Sequence, residues 1–184
     1  MHNLDLLRQY LSCFRSTDSD LKKACIVALK ELLKVKDEET KDKYNEVIRR
    51  IFSNISKPNN FPELGSEYES VTYLLSVTDV PFEDQERLGL KVMKNLIRWE
   101  WGMKALYSHP KAVSYIVSRQ QKSKEIVELK YNLVEKTIKS KLFLKSTGVI
   151  DPVIGEQLEV YYSQGVFGTT GAPTFVPEYA SKSM

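Results

Sequence analysis

The chain has 184 residues, of which 42% are hydrophobic and 28% are charged, and its formal net charge is +3. This balance is typical of a globular protein and excludes a largely disordered chain, while only two cysteines exclude a disulfide scaffold and a cysteine-based zinc site. No apolar run approaches the roughly 18 residues of a membrane span, and the N-terminus does not resemble a secretory signal. We expect one domain, or one end of a larger array, in the reducing cytoplasm, with the nucleus as a second location.

The first two predicted elements are a pair of helices. The spacing of apolar residues predicts a short helix over Leu4–Phe14 and a longer one whose apolar run extends from Leu21 to Leu33. Asp18 or Asp20 is expected to cap the longer helix, because a carboxylate at this position accepts hydrogen bonds from free main-chain N–H groups.

The rest of the chain repeats this arrangement. Two further pairs each join a short helix to a longer one, and single helices follow the first and third pairs. In chain order the predicted segments are Glu38–Ile55, Glu67–Val77, the run Leu88–Ile97, Pro110–Ser118, the run Leu129–Ile138 and Pro152–Ser163. The segment Ser56–Ser66 is predicted to be the longest internal loop, and the tail from Gly165 lacks a helical period.

The three long runs superpose on one another. An offset of 64 residues places the first on the second, and a further offset of 41 places the second on the third. The 41-residue step falls within the period of HEAT and armadillo repeats, and the 64-residue step equals one repeat plus an extra helix. We therefore predict an all-α, HEAT/armadillo-like helical repeat solenoid of about ten helices over residues 1–164. Residues 165–184 are predicted to be extended or poorly ordered. A generic bundle of amphipathic helices is the alternative.

The sequence offers no set of residues for catalysis, and we expect no enzyme, no cofactor and no metal site. Catalysis needs a nucleophile, a base and an orienting group close together. His2 lies near the terminus, and His109 precedes Pro110 at a helix start, where a histidine is expected to be a cap or a surface residue. Trp99 and Trp101 are expected to join neighbouring layers of helices.

One charged pattern points to a binding surface. Basic residues of the first long helix align with basic residues of the second, where they form a stripe opposite the apolar face. In solenoids the second helix of each pair generally lines the concave side, which binds partners. We predict that this side receives an acidic helix, an acidic tail or a free carboxylate terminus; a solvated helix face is the alternative. The candidate residues are Lys23, Lys30, Lys34, Arg87, Lys91, Lys94 and Arg98. At the aligned positions of the third long helix stand Glu128, Glu135 and Lys139, so the surface becomes mixed.

A second functional alternative comes from the uneven distribution of charge. Residues 101–147 hold ten basic and three acidic side chains, a net charge of +7, whereas residues 61–100 hold four and eight. The basic segment 101–147 favours a nucleic-acid-binding helical repeat protein. The acidic neighbours argue against a continuous phosphate track, so nucleic acid is the less favoured partner.

The C-terminal half carries an ordered series of packing motifs. They run from Arg98-Trp99-Glu100-Trp101-Gly102-Met103 through His109-Pro110 and Ser114–Arg119 to Lys124–Lys139, and close with Leu158–Gly165. Over about residues 85–165 this series resembles the C-terminus of the 26S proteasome non-ATPase regulatory subunit 5 family. The preceding part resembles that family only through its HEAT-like pattern.

The resemblance implies a function. Members of that family are longer helical solenoids, which implies that this chain is a C-terminal portion or a shortened relative. They are assembly chaperones for the base of the regulatory particle. They bind the C-terminal domain of one base AAA ATPase, of the regulatory subunit 7 type, and hinder premature docking on the core particle. If the chain is a portion, the face of the first helix that carries Leu4, Leu7 and Leu11 should be exposed.

Overall fold

The chain is all-α in its computed structural model. The structure describes residues 2–35, 37–119, 123–144 and 148–168. Within these ranges it contains ten α-helices, one 3-10 turn at Pro58–Asn60 and no strand. The predicted all-α class and the number of about ten helices are therefore confirmed, whereas most of the predicted tail lies outside the described residues.

The observed helices follow the predicted segments closely, with two additions. In chain order they are α1 (His2–Cys13), α2 (Ser19–Leu32), α3 (Glu38–Ser53), α4 (Glu67–Thr78), α5 (Glu83–Leu96), α6 (Glu100–Tyr107), α7 (Pro110–Val117), α8 (Lys124–Ile138), α9 (Lys141–Leu144) and α10 (Pro152–Ser163). The hydrophobic period did not indicate α6 or α9. Helix α6 buries six of its eight residues and exposes only Glu100 and Lys104, which lie one turn apart.

Side-chain caps determine where several helices begin. The Asp18 carboxylate accepts hydrogen bonds from the main-chain N–H groups of Asp20 and Leu21, at 2.8 and 3.1 Å. Asp37 accepts a bond from the N–H of Thr40 at 2.7 Å at the start of α3. Each such cap contributes about 1 kcal/mol to helix stability. Of the two predicted caps of α2, Asp18 is therefore the one used.

Helix α5 is the centre of the fold, because it packs against α4 and lies between α2 and α8. Arg87, near the start of α5, contacts Glu125, near the start of α8, so these two helices run in the same direction. Asn95 and Arg98, at the other end, donate to main-chain carbonyls at the C-terminal end of α2. Equivalent helices that lie side by side are compatible with a repeat stack.

Two tryptophans join the layers, as predicted. Trp99 is 1% exposed, and its Nε1 donates to the main-chain carbonyl of Leu33 at 3.2 Å. Trp101 Nε1 donates to Asn45 Oδ1 of α3 at 3.0 Å, and the Trp101 ring packs 5.5 Å from that of Phe52. The junction between α5 and α6 is thereby attached to both α2 and α3.

The apolar face of α2 is narrower than predicted. Cys25, Leu29 and Leu33 are buried, but Ala24 and Ala28 are exposed. The helix packs mainly on α1 and α5, so its remaining side faces solvent. The alignment therefore matched two exposed alanines with covered positions of α5.

The predicted exposed face of α1 is restricted to its first turns. Leu4 and Leu6 are 43% and 61% exposed, whereas Leu7 is half-buried and Leu11 is fully buried. Leu11 belongs to the main hydrophobic core together with Phe14. The expectation of exposure is thus wrong for Leu11, because the C-terminal half of α1 packs into the fold.

Candidate partner-binding face

The predicted basic residues lie on the two neighbouring helices α2 and α5 and just beyond their C-terminal ends. We call this set the basic face; it consists of Lys23, Lys30, Lys34, Arg87, Lys91, Lys94 and Arg98. Lys23, Lys34 and Lys91 are exposed, and the other four are half-buried. Full exposure was expected for all of the α5 residues, but only Lys91 has it. The reason is that α2 and α8 flank α5 and partly cover its sides.

Two arginines of the basic face serve the stack of helices. The Nε of Arg87 lies 2.8 Å from Glu125 Oε1, and its Nη1 lies 3.2 Å from Asp84 Oδ1. Arg98 Nη1 donates to the main-chain carbonyl of Lys34 at 3.2 Å. These contacts link α5 to α8 and to α2, so both guanidinium groups already have structural partners.

The basic face is also partly neutralised at its α2 end. Glu31 lies 2.8 Å from Lys30 Nζ and 3.5 Å from Lys34 Nζ. The hydrogen bond from Lys30 lowers the pKa of the Glu31 carboxyl, which keeps this group ionised. Such exposed pairs contribute little to stability. Within the described residues, the basic-face lysines without a salt bridge are Lys23 on α2 and Lys91 and Lys94 on α5.

A groove of about 420 Å³ lies between α5 and α8. We call it the α5–α8 groove; its lining residues are Lys94, Asn132, Glu135, Lys136 and Lys139. Lys139 Nζ bonds Glu135 Oε1 at 2.7 Å, so these two charges compensate each other. Lys94 and Lys136 have no acidic partner within the part of the chain that the structure describes.

The ionisation of Lys136 reflects the excess positive charge in this groove. Burial lowers the pKa of Lys136, and the neighbouring charges of Arg98 and Lys94 lower it further. The ammonium group is thus partly removed from water and repelled by two cations. An anion placed between Lys94 and Lys136 would be attracted by the combined field.

The predicted stripe includes Lys94, on the α5 side of the groove, but not Lys136, whose pKa is lowered. The 41-residue offset maps Lys94 onto Glu135, and both line the groove. The same offset maps Lys136 onto Asn95, a position beside the basic stripe and not on it. Positions next to a stripe face the adjacent helix in a side-by-side stack. The prediction considered only the positions on the stripe and so did not include Lys136.

His109 is a helix cap, as predicted. Its Nδ1 accepts the main-chain N–H of Ala112 at 3.3 Å, and its Nε2 lies 2.9 Å from Thr72 Oγ1. The ring stacks on Tyr68 with 4.3 Å between ring centroids. Burial lowers the pKa of His109 and favours the neutral imidazole, with both ring nitrogens engaged. This arrangement serves α7 and its contact with α4.

The described residues contain no group of three or more histidine, cysteine, aspartate or glutamate side chains that could hold a metal ion. No described helix combines the length and apolar character needed to cross a membrane.

The basic segment 101–147 does not form a continuous track in the described ranges, because several of its charges serve internal contacts. Lys130 is 1% exposed, and its Nζ lies 3.9 Å from the centroid of the Tyr115 ring. Arg119 Nη2 donates to the main-chain carbonyls of Tyr161 and Gly165, both at 2.8 Å. These cations are used inside the fold, which weakens the nucleic-acid interpretation.

Comparison with known protein families identifies the relationship of the chain. The model of a family described as proteasome non-ATPase 26S subunit matches residues 2–178. The chain belongs to this family. The match contains both the basic face and the α5–α8 groove, so these features lie within the family domain. Searches of curated proteins and of solved structures find no match. Family membership supports a proteasome-associated role and an interaction with proteasome components.

Proposed function

We propose that this family member is a non-catalytic assembly chaperone of the regulatory-particle base of the 26S proteasome. It binds an AAA ATPase subunit of the base and is of the regulatory subunit 5 type. The observation that carries the proposal is the family match over residues 2–178. The motif series of the C-terminal half adds the chaperone assignment, because it resembles the end of the subunit 5 family.

The architecture agrees with a scaffold. Helix α5 contacts α2 on one side and α8 on the other, so these three helices lie side by side. Stacked helices of this kind commonly bind proteins across an extended surface. The perturbed His109 engages structural partners, which gives no support to an enzyme. The partner that we propose is the C-terminal domain of the regulatory subunit 7 type of ATPase, contacted through the basic face.

Charge reversal on α5 tests the proposal. The variant carries Lys91→Glu with Lys94→Glu and leaves Arg98 intact, because Arg98 bonds the end of α2. Like charges at an interface cost several kcal/mol, so we expect at least tenfold weaker binding. Stability should change by about 1 kcal/mol or less, as usual for surface charges. Binding is measured by co-purification with each base ATPase domain, expressed singly, and by a titration with the domain that binds.

The matched control is Lys104→Glu with Lys111→Glu, because both lysines are exposed and lie outside the basic face. This variant should retain the affinity of the natural sequence. Equal weakening by the two double variants would assign the effect to net charge and contradict the proposed surface. Failure of the natural sequence to bind any base ATPase domain would contradict the function itself.

A further inference from the structure

We propose that the α5–α8 groove is a receptor for a short acidic peptide segment, whose side-chain carboxylates bind between Lys94 and Lys136. The inference deepens the proposed function and rests on it for the identity of the protein that carries the segment. The groove itself is defined by Lys94 of α5 and by Asn132, Glu135, Lys136 and Lys139 of α8.

The first argument is uncompensated charge held in place by the fold. Lys94 and Lys136 are half-buried, and Arg98 is close enough to influence Lys136. A lysine that only favours solubility extends into water, where salt screens its charge. Here two lysines line one groove while the carboxylate of Glu135 is bonded to Lys139. A bound carboxylate would remove the repulsion and form charge-assisted hydrogen bonds.

The second argument concerns the kind of anion. The groove offers cations, but it also offers acceptors in the Glu135 carboxylate and the Asn132 amide. A phosphate backbone has only acceptors along its edge, so it could not donate a hydrogen bond to the Asn132 carbonyl oxygen. A peptide brings carboxylates for the lysines together with main-chain N–H groups for the acceptors. The mixed lining therefore favours a peptide over a nucleic acid.

The third argument is the extent of the groove. The lining residues of α8 span only Asn132–Lys139, about two helical turns or ~10 Å, so the groove contacts a few peptide residues. The positive surface also ends along α8, because Arg87 is paired with Glu125 and Lys124 lies 3.8 Å from Glu128. The contact between α5 and α8 is thus basic only near the C-terminal ends of the two helices, which suits a short segment.

The test uses the full chain and defined probes. The ligand probe is an acetylated and amidated peptide of alternating glutamate and glycine; its reference is the same peptide with glutamine in place of glutamate. Binding is followed by NMR of the ¹⁵N-labelled protein and by calorimetry. We expect saturable shifts at residues 94 and 132–139 with the glutamate peptide and none with the glutamine peptide.

Neutral variants test the two lysines. Lys136→Gln and Lys94→Gln should each lower the affinity for the glutamate peptide about tenfold. Lys111→Gln, the exposed control, should leave this affinity unchanged. Lys136→Gln should also raise the melting temperature of the free protein, because it removes a repelled, partly desolvated charge. A lower melting temperature would mean that Lys136 serves the fold, and the proposal would be overturned.

The remaining outcomes are also decisive. Absence of saturable binding, or equal binding of inorganic phosphate at the same residues, overturns a peptide-selective groove. Tighter binding of an oligonucleotide, with steep weakening as salt rises, assigns the groove to nucleic acid instead. The two proposals fail separately. Capture of an ATPase domain without peptide binding rejects the groove alone, and peptide binding without any ATPase capture rejects the proposed function alone.

Discussion

At the scale of single residues, burial and not catalysis explains the ionisation of His109. The imidazole caps α7, contacts Thr72 and stacks on Tyr68, and burial lowers its pKa. The folded protein therefore binds fewer protons than the unfolded chain once the pH falls below the ordinary histidine pKa of about 6.5. The free energy of unfolding must decrease as the pH falls through this range.

We predict that His109→Asn makes the free energy of unfolding fall less steeply as the pH decreases from about 7 to about 5. Asparagine retains a side-chain acceptor for the N-terminus of α7 but does not titrate. The free energy of unfolding is measured by urea titration between about pH 7 and pH 5, above the ordinary carboxyl range. An unchanged slope in His109→Asn would contradict the assignment.

At the scale of helices, α4 and α5 pack closely against each other at Gly89. A methyl group added at Gly89 of α5 would collide with the side chain of Thr78. Thr78 is fully buried, and its Oγ1 donates to the main-chain carbonyl of Leu74 at 2.6 Å, so it has little freedom to move. Glycine at this position allows α4 to pack directly on the backbone of α5.

We predict that Gly89→Ala lowers the free energy of unfolding by about 1–3 kcal/mol, the usual effect of overpacking. Gly155→Ala in α10 is the matched control, because the added methyl would only touch the Phe143 ring, 3.9 Å away. This control should be neutral or stabilising by up to about 1 kcal/mol, since alanine favours helix. Circular dichroism during urea titration measures both. Equal stability of the two variants would contradict the close packing.

The helix scale also shows why the repeat offsets were informative. Lys34 and Arg98 occupy aligned positions under the 64-residue offset, and Arg98 donates to the Lys34 carbonyl. Arg87 contacts the start of α8. The offsets therefore identified helices that are neighbours in space. They did not reveal α6, because this helix is not one of the three long helices that the offsets superpose.

At the scale of the whole molecule, three buried or half-buried tyrosines join pairs of helices. Tyr10 donates to the Cys25 carbonyl at 2.9 Å, Tyr115 donates to Glu86 at 2.7 Å, and Tyr107 lies 2.6 Å from Thr137 Oγ1. Burial raises the pKa of all three phenols. The folded state therefore keeps protons that the unfolded chain releases above the ordinary tyrosine pKa of about 10.

We predict a marked loss of stability as the pH rises through this range, because the unfolded state alone gains the ionised phenolates. The measurement is the free energy of unfolding between about pH 8 and pH 11. Tyr107→Phe should reduce the slope, and Tyr44→Phe, at an exposed tyrosine, should leave it unchanged. The pKa of Lys136 is lowered, so the folded protein releases this proton before the unfolded chain does, and Lys136 stabilises the fold as the pH rises. Lys136→Gln removes this contribution and should make the decline in stability steeper. A stability independent of pH in this range would contradict the burial of these phenols.

The sequence by itself determined the helical class, the order of eight of the ten described helices, a carboxylate cap at Asp18 or Asp20 and the neighbouring positions of the long helices. Each of these follows from local preference or from one hydrophobic period along the chain. Only the tertiary structure decided that Arg87 and Arg98 bind other helices, that Leu11 is covered, and that Lys136 faces Lys94 across a groove. The physical reason is that periodicity reports whether a position is apolar. It does not report which side chain of the next helix, 41 residues away, will stand beside it.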